Sequence, residues 1–135
     1  MARVYYDQDA DLNDLAGETI AVLGYGIQGR AQALNLRDSG LTVVVGNRDD
    51  SYREQPRADG YEVLSIAEAA RAGDVILVLV PDEAQGQIYE ETIHPSLAPG
   101  KALVFAHGFA IRYGVIRPPE NIDLLLTRKS GYRFC

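Results

Sequence analysis

The feature that most constrains this chain is a glycine turn, Gly24-Tyr25-Gly26-Ile27-Gln28-Gly29, wedged between an apolar run and a helix-forming segment. The run before it, Thr19-Ile20-Ala21-Val22-Leu23, is short and rich in β-branched residues with no polar alternation. That is the pattern of a strand covered on both faces, as in a parallel sheet. Residues 28–39 follow with helix-forming composition, placing Ala31, Leu34 and Leu36 near one side, and Gly40 is a natural stop.

The same alternation continues along the chain. Strands are expected at Thr42-Val43-Val44-Val45, at residues 75–80 (Val-Ile-Leu-Val-Leu-Val), at Ala102-Leu103-Val104-Phe105 and at Ile122-Asp123-Leu124-Leu125-Leu126. Between them, Ser65-Ile66-Ala67-Glu68 has the capping-box pattern and opens a helix ending near Gly73. A further helix is expected over residues 83–93, closed by Pro95, while Pro56 leaves the course of residues 51–59 open. Strands alternating with helices at short spacing predict α/β architecture, a doubly wound, mostly parallel sheet of Rossmann type. Residues 1–17, polar and acidic, are expected to pack as an N-terminal arm.

Composition narrows the function. With 135 residues the chain has one core, and a net charge of −6 disfavours nucleic-acid or acidic-membrane surfaces. Cys135 is the single cysteine, so neither a disulfide framework nor a cysteine metal site is available within one chain. No signal peptide or membrane-length apolar run is visible, and a cytoplasmic location is expected.

A glycine motif placed strand-to-helix is the phosphate-binding turn of dinucleotide domains. Gly24 permits the tight turn, Gly26 lets a pyrophosphate approach the backbone, and Gly29 allows close packing. The amides opening the helix, with its partial positive charge, then face the phosphates. The plain alternative is a structural turn that binds nothing. Cofactor choice rests on Gly46-Asn47-Arg48-Asp49-Asp50-Ser51. Arg48 and Ser51 suit the 2′-phosphate of NADP, whereas Asp49 or Asp50 suits the free 2′-hydroxyl of NAD. The balance leans to NADP and stays open. His107, at the end of an apolar strand and before Gly108, is placed to transfer protons near neutral pH, or to satisfy a strand-end carbonyl. His94, before Pro95, reads as a capping or solvated residue.

Several segments together resemble ketol-acid reductoisomerase, the acetohydroxy-acid isomeroreductase of valine and isoleucine synthesis. They are Tyr5-Tyr6-Asp7, the glycine turn, Ala31-Gln32-Ala33-Leu34-Asn35-Leu36-Arg37-Asp38-Ser39-Gly40, Pro81-Asp82-Glu83 and Phe105-Ala106-His107-Gly108-Phe109. Ile27 and Arg30 stand where many members carry serine and histidine, and Ala110 where asparagine is common.

The resemblance implies that Tyr25, Gly26, Ile27 and Gln28 line the pyrophosphate and that Arg48 and Ser51 meet the adenosine ribose. Asp82, Glu83, Ala84 and Gln85 would lie by the cofactor's middle and nicotinamide end, and His107 would be the active-site histidine. It further implies a magnesium-assisted alkyl shift of a 2-acetohydroxy acid followed by hydride transfer. In the family the magnesium carboxylates belong to a C-terminal helical domain.

The expected organisation is therefore a Rossmann domain over residues 1–126, an aberrant or truncated tail over 127–135, and no helical domain. A shifted reading frame, an excised domain and a naturally short protein each account for such an ending. The expected function is NAD(P)H binding without independent turnover; the alternatives are a stand-alone dinucleotide module or sensor and a different NAD(P)-dependent reductase. An apolar patch near residues 111–126 is expected to promote self-association.

Overall fold

The computed structural model describes residues 4, 6–48, 53–106, 114 and 116–126, the side chains of Asp7, Leu12 and Asp82 excepted. Six strands form one sheet in the order β3-β2-β1-β4-β5-β6, every neighbouring pair parallel. They are β1 (Thr19–Leu23), β2 (Thr42–Gly46), β3 (Val63–Leu64), β4 (Val75–Val78), β5 (Ala102–Phe105) and β6 (Asp123–Leu126). The order reverses between β1 and β4, which is the doubly wound arrangement. The sheet is parallel throughout its described strands.

Alternation along the strands divides the core. Ile20 and Val22 point to one layer with Ala33, Val45, Tyr61, Leu77 and Val104. Ala21 and Leu23 point to the other, with Ile66, Ala69, Ile76, Val78, Tyr89, Ile93, Leu103 and Phe105. Helix α1 (Ile27–Asp38) covers the first layer. Its inward positions are Gly29 and Ala33, with Leu34 and Leu36 packed beside them; Ala31, expected near that face, is exposed. Four-residue spacing from Gly29 sets the buried stripe, and Ala31 falls outside it.

Helix α3 (Ile66–Ala72) covers the second layer, and its capping box forms as the sequence predicts. The Glu68 amide donates to Ser65 Oγ and the Ser65 amide to Glu68 Oε2, both at 3.2 Å. At its other end the Lys101 ammonium donates to the carbonyls of Ala70 and Arg71, at 2.9 and 2.7 Å. Burial lowers the Lys101 pKa.

Helix α4 (Asp82–Ile88) is shorter than expected. The chain runs on through a π-helical turn, Tyr89–Ile93, and a 3₁₀ turn, His94–Ser96, that takes Pro95. Of the segment 51–59, the described residues 53–59 hold helix α2 (Glu54–Ala58), whose Pro56 sits in the first turn, where a missing amide costs nothing. The N-terminal residues form 3₁₀ turns at Asp7–Asp9 and Leu12–Leu15, while Val4 and Tyr6 stay largely exposed rather than packing as an arm. Among the described residues no helix is long and apolar enough to cross a membrane.

Candidate dinucleotide site

In a parallel sheet all carboxyl ends lie on one edge, so the loops after β1, β2 and β4 converge there. They enclose a cavity of about 490 Å³ lined by the whole of Gly24–Gly29 together with Asn47, Arg48, Ile66, Leu79, Val80, Pro81, Ala84 and Ile88. A second cavity of about 350 Å³ adjoins it. It shares Arg48, Ile66, Ala84 and Ile88 and adds Ser65, Ala67, Gln87, Glu91 and Thr92. Arg48 therefore stands where the two meet.

The three glycines are required for different reasons. Gly24 has φ +94°, and a Cβ there would lie 2.9 Å from the Leu79 carbonyl oxygen. A Cβ on Gly29 would strike the Gly24 carbonyl, so the first turn of α1 closes against the loop only without a side chain. Gly26 is the opposite case: nothing lies within 4 Å of its added Cβ, which would project into open space. Gly26 caps α1 with no side-chain hydrogen bond. The first amides of the helix are thus not spent on a side-chain cap.

Beneath the floor, Gln85 is buried and donates from Nε2 to the Val80 carbonyl at 3.0 Å, holding the loop between β4 and α4. Asn47 is also buried; its Oδ1 accepts from the Arg48 amide at 3.2 Å and its own amide donates to Leu64 O at 3.1 Å.

Of the residues singled out from sequence, Gly24, Tyr25, Gly26, Ile27, Gln28, Gly29, Arg48 and Ala84 line the first cavity. Glu83 is exposed and, like Gln85, lines neither cavity. The backbone of Asp82 opens α4, and Ser51 and His107 lie outside the described residues. Asn47, Ile66 and Ile88 also line the cavity, and none of them stands out as a site residue in the sequence. Asn47 carries a usable signal, since it directly follows a strand ending at the site. Ile66 and Ile88 belong to α3 and α4 and arrive only through packing.

Outside the cavity, the Tyr25 hydroxyl donates to Asp59 Oδ2 and Arg30 Nε to the same oxygen at 2.9 Å. Hydrogen bonds from Arg30 and Tyr25 hold the Asp59 carboxyl well below the usual carboxylate range. Burial, with the hydrogen bond to Asp59, pushes the Tyr25 hydroxyl well above the ordinary phenol value. Asp59 is therefore ionised and Tyr25 a neutral donor.

A strand order reversing at β1, a glycine turn there and a cleft across the reversal define a dinucleotide-binding domain of Rossmann type. Residues 14–131 match the family model for acetohydroxy acid isomeroreductase, NADPH-binding domain, and the chain belongs to that family.

Among curated relatives, the ketol-acid reductoisomerase (NADP(+)) of Methanopyrus kandleri is 52% identical over 132 residues, covering 97% of this chain and 40% of the relative. That of Pyrobaculum arsenaticum is 51% identical with the same coverage. The chain thus spans about 40% of the length of these relatives. A solved NADH-preferring ketol-acid reductoisomerase from an uncultured archaeon superposes with a TM-score of 0.88 at 45% identity, covering 96% of this chain and 41% of that one. A semialdehyde dehydrogenase NAD-binding protein from Cupriavidus necator, solved with calcium and NAD, gives a TM-score of 0.71 at 26% identity over 81% of this chain and 40% of that one.

Proposed function

We propose that this chain holds NADP(H) across the carboxyl edge of its sheet, with the pyrophosphate at the Gly24–Gly29 turn. The observation that carries the reading is the open space at Gly26, in front of helix amides without a side-chain cap and beside a cleft that Arg48 helps to line. Amides at a helix start favour an anion through both hydrogen bonds and the helix dipole. The adenosine would lie where the cavities join, between Ile66 and Ile88, with Arg48 and Ser51 at the ribose. Ala84 would face the cofactor's middle, with Asp82 and Glu83 nearby and Gln85 supporting the loop from below.

NADP is preferred over NAD because Arg48 offers a planar, permanently charged partner to a 2′-phosphate. The solved NADH-preferring relative makes NAD the alternative. Arg48→Ala is expected to weaken NADPH about tenfold or more while changing NADH little, since charge-assisted hydrogen bonds contribute about 1.5–3 kcal/mol. Fluorescence titration with both nucleotides measures this. Equal losses would remove Arg48 from the 2′-phosphate.

Bound NADPH would supply a hydride. The activity proposed for the whole protein is that named for its relatives, ketol-acid reductoisomerase, acting in the cytoplasm on 2-acetohydroxy acids with magnesium. His107, two residues beyond β5 in sequence, is proposed to move a proton there. The 135-residue chain contributes the cofactor site, and it is expected to bind NADPH without acetohydroxy-acid turnover. Titration followed by a turnover assay with magnesium tests both halves. Failure to bind either nucleotide would sink the reading, and turnover would show that this chain carries the reaction's remaining groups.

A further inference from the structure

Tyr25, the residue between the first two glycines of the turn, is anchored by its side chain. The Gly24 amide donates to the Gly46 carbonyl and the Arg30 amide to the Gly26 carbonyl, both at 2.9 Å, but neither glycine has a side chain, so the side-chain anchor of this stretch is Tyr25. The Tyr25 hydroxyl donates to Asp59 Oδ2 at 2.5 Å. Arg30 Nε reaches the same oxygen at 2.9 Å, while Arg30 Nη2 and Gln55 Nε2 reach Oδ1 at 3.4 and 3.2 Å. Arg37 Nη1 donates to the Asp59 carbonyl, and its guanidinium lies 4.4 Å over the Tyr61 ring. That ring in turn meets Tyr25 edge-on at 5.8 Å.

Asp59 is the C-cap of α2. At the other end of the same helix, Arg53 Nη2 donates to the Asn47 carbonyl at 3.2 Å, and Asn47 lines the cavity. One short helix therefore joins the loop after β2 to the turn after β1.

We infer that Asp59 is a positioning residue for pyrophosphate binding, acting through the Tyr25 hydroxyl to hold the glycine turn ready for its ligand. Asp59 itself lines neither cavity. This rests on the dinucleotide reading above. Fixing a residue's backbone costs conformational entropy, and a turn already ordered spares the ligand that cost.

A merely structural network would weaken every ligand alike, and that separates the two roles. The probes are NADPH and 2′-AMP, which has the phosphorylated ribose but no pyrophosphate, titrated into the full chain and variants alongside thermal unfolding. Tyr25→Phe removes one hydroxyl and keeps the ring. It is expected to weaken NADPH about fivefold to tenfold, as the lost ordering of about one backbone residue would, and to leave 2′-AMP unchanged. Asp59→Ala should reproduce that selective loss, and the double variant should bind NADPH no worse than Asp59→Ala alone.

Folded Tyr25→Phe with wild-type NADPH affinity would overturn the inference. So would equal losses of both ligands, or losses that multiply in the double variant. A wild-type chain that binds neither probe would instead bring down the dinucleotide reading itself, and this inference with it.

Discussion

A methyl group added to the glycine turn should have opposite consequences at positions three residues apart. In an ordinary helix Gly→Ala gains up to about 1 kcal/mol. At Gly29 the new carbon would meet the Gly24 carbonyl, and overpacking of this kind costs about 1–3 kcal/mol, so Gly29→Ala is expected to lower the melting temperature. Gly26 has φ −77°, which any residue adopts, and open space ahead. Gly26→Ala should therefore melt as the wild type does while losing NADPH affinity. Melting curves and titrations of both variants test the pair; a destabilised Gly26→Ala or an unaffected Gly29→Ala would contradict it. The same scale carries a pH effect. The Asp59 carboxyl is held below the ordinary aspartate value of about 3.9, so its contribution to stability is complete above about pH 4. It declines as pH falls below that value and vanishes below the folded pKa. Between pH 5 and 3 the wild type should lose more stability in urea than Asp59→Asn does, and parallel losses would count against the assignment.

Elements were legible where the sequence pattern is local. The apolar runs of β1 and β5 have the bounds expected of them, because buried parallel strands need unbroken apolar residues and end where turn residues begin. The start of α3 was equally plain from Ser65 and Glu68. Ser65→Ala should cost about 1 kcal/mol by leaving helix amides unpaired, measured by urea unfolding; no change would mean that water replaces the cap. What escaped has a physical reason. Strand β3 is two residues long, too short to show any period, and exists because Val45 and Gly46 offer an edge to Val63 and Leu64. The end of α4 was overrun because a π-helical turn keeps the side chains of Tyr89 and Ile93 in the core while the hydrogen-bond spacing changes. The site divides the same way. Its glycines and Arg48 follow strands and were readable, whereas the isoleucines of α3 and α4 come from packing that no motif announces.

At the scale of the whole molecule the two edges of the sheet differ. The β3 edge is two residues long, whereas β6 presents Asp123, Leu124, Leu125 and Leu126, and its leucines are 41%, 52% and 62% exposed. Side chains alternate along a strand, so Leu124 and Leu126 crown one face and Leu125 the other. Apolar residues on both faces are the mark of a strand meant to be covered, and among the described residues β6 pairs with β5 on one side only. An apolar edge with an unpaired ladder is a template for a second chain. Weak, concentration-dependent association of the 135-residue chain through β6 is therefore expected. Sedimentation measures it: the average mass should rise above the 14.8 kDa of one chain as concentration increases. Leu125→Lys places a charge on that edge at an already exposed position, so it should return the mass to that of one chain with little change in melting temperature. A mass that stays at one chain throughout, or a Leu125→Lys variant that associates like the wild type, would rule out β6 as the contact.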